Sequence, residues 1–233
     1  MSDRTLIVIP ARLESTRLPR KMLLRETGKY LVQHVYERAT MVRGADLVLV
    51  AADDPAIVEA VESFGGQAVL TSRAHASGSD RVAEAARNYP SRVVVDIQGD
   101  EPDLDPEDVE ALIAAMDSGV EMGTLVFDGL TQADQQDPSV VKAVVEGDWA
   151  VDFRREPTPG GRRHLGIYAF RADFLQAYTG MPATPREKER RLEQMRALDH
   201  GHAIRAVPAR SAGTGIDTPQ DYAAFVERWC RGG

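Results

Sequence analysis

Short apolar runs alternate with amphipathic stretches over the first half of the chain. The apolar runs cover 6–9, 47–51, 68–70 and 93–97, and the helical patterns cover 31–41, 56–64, 79–88 and 106–116. Asp54 and Pro55 have the types preferred at the N-cap and first position of a helix. Apolar strands separated by helices are typical of βαβ units. We therefore predict an α/β fold with a mostly parallel, Rossmann-like sheet.

Beyond residue 120 the hydrophobic pattern is looser and richer in strands. Strand-like runs cover 122–127, 140–145, 150–153 and 165–170. They predict a small mixed or antiparallel extension, 121–171, within a single domain spanning 1–233. A capping box beginning at Thr184 predicts one helix to about residue 198. A strand at 203–207 and a helix at 219–229 should then close the domain.

Composition and charge narrow the functional classes. Of the 233 residues, 43% are hydrophobic and 27% charged, which is ordinary for a globular protein. The net charge of -8 argues against binding to nucleic acid or an anionic membrane, since both require a positive field. The single cysteine, Cys230, cannot form an internal disulfide, and the first apolar run is too short for a signal or membrane segment. We expect a cytoplasmic protein.

A basic loop follows the first predicted strand. Arg12, Arg17, Arg20 and Lys21 lie within twelve residues that contain no glycine. The loop therefore matches neither the dinucleotide fingerprint nor the Walker P-loop, which use glycines for close backbone approach. Open α/β sheets bind ligands beyond the carboxyl ends of their strands, so these side chains can bind a polyphosphate. The alternative is a solvated basic loop.

Acidic residues lie where two other loops should reach the same edge of the sheet. Asp100 follows the strand at 93–97, where it can bind a divalent cation or cap a turn. Asp217 precedes the last helix, and Thr218 can serve as that helix's N-cap. Asp217 is therefore free to bind metal. A pair of acids in this arrangement can hold Mg²⁺ across a triphosphate.

The loop before the third helix has groups that suit a nucleoside. Ser77 and Gly78 would let backbone approach a ligand closely, although an ordinary capped turn is the alternative. No Cys/His cluster has metal-binding spacing, and no Gly-x-Ser-x-Gly motif marks a nucleophile. The sequence thus disfavours covalent catalysis.

Ordered motifs along nearly the whole chain resemble one family. They are 10–12, 15–19 with Lys21, 77–78, 98–102, 164–168, 192–194 and 215–219. In order and spacing these motifs resemble the 3-deoxy-manno-octulosonate cytidylyltransferases. The resemblance implies a nucleotide-diphospho-sugar transferase-like fold and a homodimer. It also implies Mg²⁺-dependent transfer of CMP from CTP to the sugar acid Kdo, for lipopolysaccharide synthesis, with 121–171 as the sugar-side and dimerisation extension.

The resemblance also assigns roles to residues of this chain. Nucleotide binding falls to Arg12, Arg17, Lys21, Ser77 and Gly78, of which Arg12 and Lys21 are counted as catalytic together with Asp100. Asp100 and Asp217 are the implied metal ligands. The implied contacts to the sugar acid are Gln98, Arg155, His164, Tyr168, Glu193 and Gln194. Arg155 is the implied partner of the sugar carboxylate.

The chain departs from the family pattern in places. Arg20 stands where the family usually has glycine, so either its φ angle is positive, at about 1 kcal/mol, or the loop differs. The segment between Pro159 and His164 is shorter than in typical members. This change lies on the sugar side. The alternatives are therefore another ulosonic acid, of sialic type or an amino analogue of Kdo, or a non-catalytic nucleotide-binding homologue.

Overall fold

The computed structural model describes residues 3–116 and 119–232. The strands are β1 (Thr5–Ala11), β2 (Leu47–Ala52), β3 (Ala68–Leu70), β4 (Val93–Asp96), β5 (Met122–Phe127), β6 (Lys142–Glu146), β7 (Trp149–Arg154), β8 (Arg162–Arg171) and β9 (Ile204–Pro208). The helices are α1 (Leu31–Thr40), α2 (Pro55–Ser63), α3 (Gly78–Ala86), α4 (Pro106–Ala114), α5 (Gln132–Gln136), α6 (Ala172–Gly180), α7 (Pro185–Arg190), α8 (Met195–Asp199) and α9 (Pro219–Gly232).

All of these strands belong to one sheet with the order β3-β2-β1-β4-β8-β5-β9-β7-β6. Strands β1 to β4 pair in parallel, which confirms the predicted Rossmann-like half. Strand β8 is antiparallel to both β4 and β5, and β5 is parallel to β9. The predicted α/β class with a mixed part is confirmed. Strands β5 and β8 lie near the centre of the sheet, not at its margin.

The mixed part of the sheet curls until it meets itself. Strand β6 pairs with β7 and also with the first residues of β8, where Lys142 lies opposite Arg163. Strands β8, β5, β9, β7 and β6 thus form a closed ring. Because β8 belongs both to this ring and to the sheet beside β4, it joins the two halves through continuous backbone pairing.

Strand β1 is buried along its whole length because helices cover both faces of the sheet. Ile7 and Ile9 pack in one apolar cluster with residues of α1, α2 and α4. Leu6 and Val8 point to the other face and pack with residues of α3, α6 and α8. The two-residue alternation of strand side chains therefore supplies both core layers. Among the described residues, no helix is long and apolar enough to cross a membrane.

The prediction of one helix from Thr184 to residue 198 is wrong. The chain forms the short helices α7 and α8 instead, because Arg191 adopts a left-handed conformation with φ 55°. The backbone N–H groups of Arg191 and Leu192 both bond to the carbonyl of Glu187, which ends α7. Helices α5 and α6 were not predicted either. Sequence periodicity does not reveal a single left-handed residue inside a helical pattern.

Candidate active site

The loop after β1 is held by a turn that begins at Arg20. Arg20 has φ 54° and ψ 30°. Of the two alternatives for this residue, a positive φ angle or a different loop, the positive φ angle is the correct one. A short 3-10 turn, Lys21–Leu23, follows and buries Met22. A Cβ atom on Gly99 would lie 2.9 Å from the sulfur of Met22 and 3.1 Å from the carbonyl oxygen of Pro10, so a larger residue there would force Met22 to move. The loop after β4 therefore packs directly against the basic loop.

Lys21 joins the two acids that sequence analysis selected. Its side chain is buried, and its Nζ lies 2.5 Å from Asp100 Oδ2 and 3.5 Å from Asp217 Oδ1. The Nζ also donates to the carbonyl of Ile216 at 2.8 Å. Arg17 forms an ion pair with Asp217 Oδ1 at 2.8 Å. Two cations and two carboxylates from distant parts of the sequence are thus brought together at one edge of the sheet.

These residues line a cavity of about 370 Å³, here called the basic cavity. The predicted site residues that line it are Arg12, Arg17, Lys21, Gly78, Gln98, Asp100 and Asp217. The Arg12 side chain is exposed, and its Nη2 donates to the carbonyl of Ala76 at 3.3 Å. The solvated-loop alternative does not describe Lys21, whose ammonium is buried between acids.

A second cavity of about 560 Å³, the helical cavity, lies beside α3 and α7. The predicted site residues that line it are Ser77, Gly78, Gln98, Tyr168 and Glu193. Ser77 is the N-cap of α3 in a capping box with Asp80, so the capped-turn alternative also describes Ser77. A Cβ on Gly78 would lie 3.4 Å from Gln98 Oε1. Gly78 and Gln98 line both cavities and form their border.

The carboxyls of Asp96 and Glu193 lie close together near the border of these two cavities. Asp96 is fully buried and accepts a hydrogen bond from Gln98 Nε2 at 2.8 Å. Ser79 Oγ lies 2.8 Å from Glu193 Oε1 and 3.3 Å from Asp96 Oδ2. Burial raises the pKa of both carboxyls, and for Asp96 the nearby Glu193 raises the pKa further. Sequence analysis missed Asp96. A carboxylate inside the apolar run 93–97 is unusual, and it could have marked Asp96 as a candidate site residue.

A third cavity of about 550 Å³, the loop cavity, contains Arg17, Glu101, Arg163, His164 and Asp217 in its lining. Burial lowers the pKa of His164 to about 3. Burial, followed by the charge of Asp100, raises the pKa of Glu101 to about 8. His164 lines the loop cavity and Tyr168 the helical cavity, yet their ring centroids are only 5.3 Å apart, so the two cavities adjoin here.

Two predicted sugar contacts, Arg155 and Gln194, line none of these three cavities. Arg155 donates to the carbonyls of Pro138, Arg190 and Arg191 at 3.0, 2.9 and 3.2 Å. Gln194 is buried, and its Nε2 has no hydrogen-bond partner among the described residues. Their proposed contacts with a sugar remain predictions.

The donor set for a metal consists of Asp100 and Asp217. Within residues 3–116 and 119–232, no cluster of three or more His, Cys, Asp or Glu has a geometry that could hold a metal ion. Two carboxylates fit Mg²⁺, which usually takes one or two protein carboxylates and completes its shell with water and phosphate oxygens. The carboxylates already share one cation, the Lys21 ammonium, which indicates that the position between them suits positive charge.

A basic cavity at the carboxyl ends of parallel strands, bordered by a second polar cavity, defines an α/β protein with a nucleotide-binding type of site. A family model described as cytidylyltransferase matches residues 6–204. The 3-deoxy-manno-octulosonate cytidylyltransferase of Anaeromyxobacter dehalogenans is 47% identical over 228 residues, which is 92% of this chain and 93% of the relative. That of Escherichia coli is 41% identical over 228 residues, covering 93% and 92%.

A solved structure agrees with these relatives. The chain is similar to CMP:2-keto-3-deoxy-manno-octonic acid synthetase complexed with CTP, with a TM-score of 0.94 and 38% identity over 99% of this chain and 100% of that one. The chain belongs to the cytidylyltransferase family, among the 3-deoxy-manno-octulosonate cytidylyltransferases. It is therefore a nucleotidyltransferase, as the family resemblance in the sequence implied.

Proposed function

We propose that this chain transfers CMP from CTP to the anomeric hydroxyl of Kdo, giving CMP-Kdo and pyrophosphate for lipopolysaccharide synthesis. The observation that carries the proposal is the shared border of the basic and helical cavities at Gly78 and Gln98. A nucleotide in the basic cavity and a sugar in the helical cavity would meet at this border. The names of the similar proteins support the same pair of substrates.

The reaction needs positioning and charge neutralisation. The anomeric oxygen attacks the α-phosphorus and loses its proton, the bond to the bridging oxygen breaks, and pyrophosphate leaves with that bond's electrons. No covalent enzyme intermediate is required. In the proposal Arg12 and Lys21 bind the triphosphate, and Arg17 supports them from its ion pair with Asp217. Cations held in these positions neutralise charge that moves onto the leaving group.

Mg²⁺ is part of the proposal, with Asp100 and Asp217 as its protein ligands. Its contribution when bound would be to neutralise phosphate charge and fix the geometry of the triphosphate. Lys21 contacts both carboxylates, so in the proposal it orients them and then shares the phosphate charge. Asp100 is further fixed through its backbone carbonyl, which accepts the N–H of Ile216 at 2.9 Å.

The sugar acid is assigned to the helical cavity. Support comes from the polar groups that converge there: the Gln98 amide, the Tyr168 side chain and Glu193. Burial raises the pKa of Glu193, and its carboxyl oxygens can accept hydrogen bonds from sugar hydroxyls. Ser77 and Gly78 are assigned to the nucleoside. Arg155, His164 and Gln194 are assigned to the sugar acid by family resemblance alone.

The oligomeric state and compartment also belong to the proposal. We infer a cytoplasmic homodimer from the family resemblance, and the single exposed cysteine suits a reducing compartment. Light scattering during gel filtration should give twice the chain mass of 25.5 kDa. A mass of 25.5 kDa at micromolar concentration would contradict the proposed dimer. It would not bear on the proposed activity.

The proposed activity is tested with CTP, Mg²⁺ and a panel of sugar acids: Kdo, an amino analogue of Kdo and a sialic-type acid. We expect stoichiometric pyrophosphate release with Kdo and a higher kcat/KM for Kdo than for the others. A higher kcat/KM for one of the other two acids would identify that sugar acid, and not Kdo, as the preferred substrate. CTP binding without release of pyrophosphate from any acid would indicate a non-catalytic nucleotide-binding homologue.

A further inference from the structure

We propose that Asp96 is a positioning residue for the transfer reaction: it fixes the Gln98 carboxamide so that Gln98 Oε1 accepts a hydrogen bond from a hydroxyl of the sugar acid. The inference rests on the proposed function and deepens it, because it names a buried residue that acts on the substrate only through Gln98. The burial of Asp96, its bond to Gln98 and its link to Glu193 carry the inference.

Asp96 is the last residue of β4 and is fully buried. It lies between Val8 of β1 and Tyr168 of β8, in the interior of the sheet. A polar group buried at such a position lowers stability unless it is hydrogen-bonded. Asp96 lines none of the three cavities. Any effect that it has on a bound substrate therefore passes through its neighbours.

Gln98 is the neighbour that reaches the substrate side, since it lines both the basic and the helical cavity. Its Nε2 donates to Asp96 Oδ1 at 2.8 Å, whereas its Oε1 accepts no hydrogen bond from residues 3–116 and 119–232. The terminal torsion of a glutamine side chain has two similar orientations. An acceptor oxygen at Asp96 selects the orientation that directs the NH₂ group inward. The carbonyl oxygen of Gln98 is then left for a ligand.

Gly78 provides the space in which a ligand can reach this oxygen. A Cβ atom on Gly78 would lie 3.4 Å from Gln98 Oε1 and 3.5 Å from Gln98 Nε2. Because glycine has no Cβ, the room beside the carboxamide stays open at the border where nucleotide and sugar meet in the proposed function. A sugar hydroxyl in this position can donate to Oε1.

The other oxygen of Asp96 is held from the opposite side. Ser79, near the start of α3, is buried, and its Oγ lies 3.3 Å from Asp96 Oδ2 and 2.8 Å from Glu193 Oε1. Glu193 lines the helical cavity, as Gln98 does. Asp96 and Ser79 thus form a buried link between two side chains of the proposed sugar site, which restricts rotation of both.

The test compares kcat/KM for Kdo at saturating CTP and Mg²⁺ in two substitutions of Asp96, with the KM for CTP as the internal reference. Asp96→Ala removes the acceptor for Gln98 and should lower kcat/KM about tenfold or more, the effect of losing one hydrogen bond at the reacting group. Asp96→Asn keeps an acceptor oxygen and should recover activity to within about threefold of the parent. The KM for CTP should change less than about twofold in either variant.

Action through Gln98 is tested by combining substitutions. If Asp96 acts only by orienting Gln98, the double variant Asp96→Ala, Gln98→Ala should have the same kcat/KM for Kdo as Gln98→Ala alone, within about twofold. Multiplication of the two single effects would show that Asp96 acts by another route, and the positioning role would be wrong.

The matched control is Val95→Ala, at the neighbouring buried position of β4 on the opposite face of the sheet. It weakens the same strand without touching Gln98, so the free energy of unfolding should fall while kcat/KM for Kdo stays at the parental value. Asp96→Val also lacks an acceptor and suits a buried strand. It should show the same loss as Asp96→Ala, and it replaces that variant if alanine leaves the protein unfolded.

Parental kcat/KM in the folded alanine or valine variant would overturn the inference while the proposed function stands. Equal losses in Asp96→Asn and Asp96→Ala would overturn it as well, because the acceptor oxygen would then not be the cause. Absence of turnover by the parent with every sugar acid would overturn the proposed function itself, and this inference with it.

Discussion

Arg20→Gly should stabilise the protein, because it removes the strain of an arginine with φ 54° and ψ 30°. The Arg20 side chain is exposed and makes no hydrogen bond or ion pair within the described residues, so no contact is lost. Its backbone carbonyl accepts the N–H of Leu23 at 2.9 Å, and glycine preserves that bond. The effect should therefore come from the backbone alone.

The magnitude follows from two opposing contributions. A residue with a Cβ atom loses about 1–2 kcal/mol in the left-handed region. Glycine returns about 0.5–1 kcal/mol of that through the greater conformational entropy of its unfolded chain. The net gain in the free energy of unfolding should be about 0.5–1 kcal/mol. For a chain of this length, that corresponds to a rise in Tm of about 1–4 °C.

Urea unfolding followed by circular dichroism is the assay, with Arg20→Ala as the matched control. Alanine removes the same side chain but keeps the Cβ atom, so its midpoint should stay close to that of the parent. Glycine should raise the midpoint without changing the m-value. If the glycine and alanine variants have equal midpoints, or if glycine lowers the midpoint, the argument from backbone strain is wrong.

The remaining predictions concern the site and its supports. Asp100→Asn and Asp217→Asn should each lower kcat at least about 100-fold with Tm shifts below about 4 °C; near-normal turnover at saturating Mg²⁺ would remove that residue from the metal site. His164 stays neutral in the folded state, so stability should fall as pH drops from its ordinary pKa of 6.5 towards about 3. His164→Gln should remove up to about 1.4 kcal/mol per pH unit of that slope, measured by urea unfolding, and an unchanged slope would contradict the buried neutral imidazole. Arg155→Ala should lower the free energy of unfolding by about 2 kcal/mol through loss of its bonds to three carbonyls; no loss would show that these bonds do not hold the turn.

Much of the parallel half could be predicted from local pattern. The run 93–97 is apolar and ends before Asp100, and the cap at Asp54 is formed as predicted, with its side chain accepting from the N–H of Ala56. Such features depend on neighbours in the sequence. That Lys21, Asp100 and Asp217 would share one edge of the sheet was expected for a different reason: open α/β sheets gather their ligand-binding loops beyond the carboxyl ends of the strands.

Features that depend on long-range contacts could not be predicted. Strand β8 lies between β4 and β5 and also pairs with β6, an arrangement that no local pattern indicates. The break at Arg191 is invisible in a helical pattern of good helix formers, because it depends on one left-handed residue. Arg155 was assigned to the sugar carboxylate by family resemblance, and its bonds to three carbonyls 17 to 36 residues away could not be predicted.

The most direct test of the central claim is phosphorus NMR of the protein with CTP, Mg²⁺ and Kdo, compared with the Asp100→Asn variant. The account predicts equal amounts of a new phosphodiester, CMP-Kdo, and pyrophosphate, both dependent on Kdo and both strongly reduced in the variant. Unchanged CTP with the parent protein would contradict the account. Release of inorganic phosphate and CDP would contradict it equally, because attack would then occur at the γ-phosphorus and not the α-phosphorus.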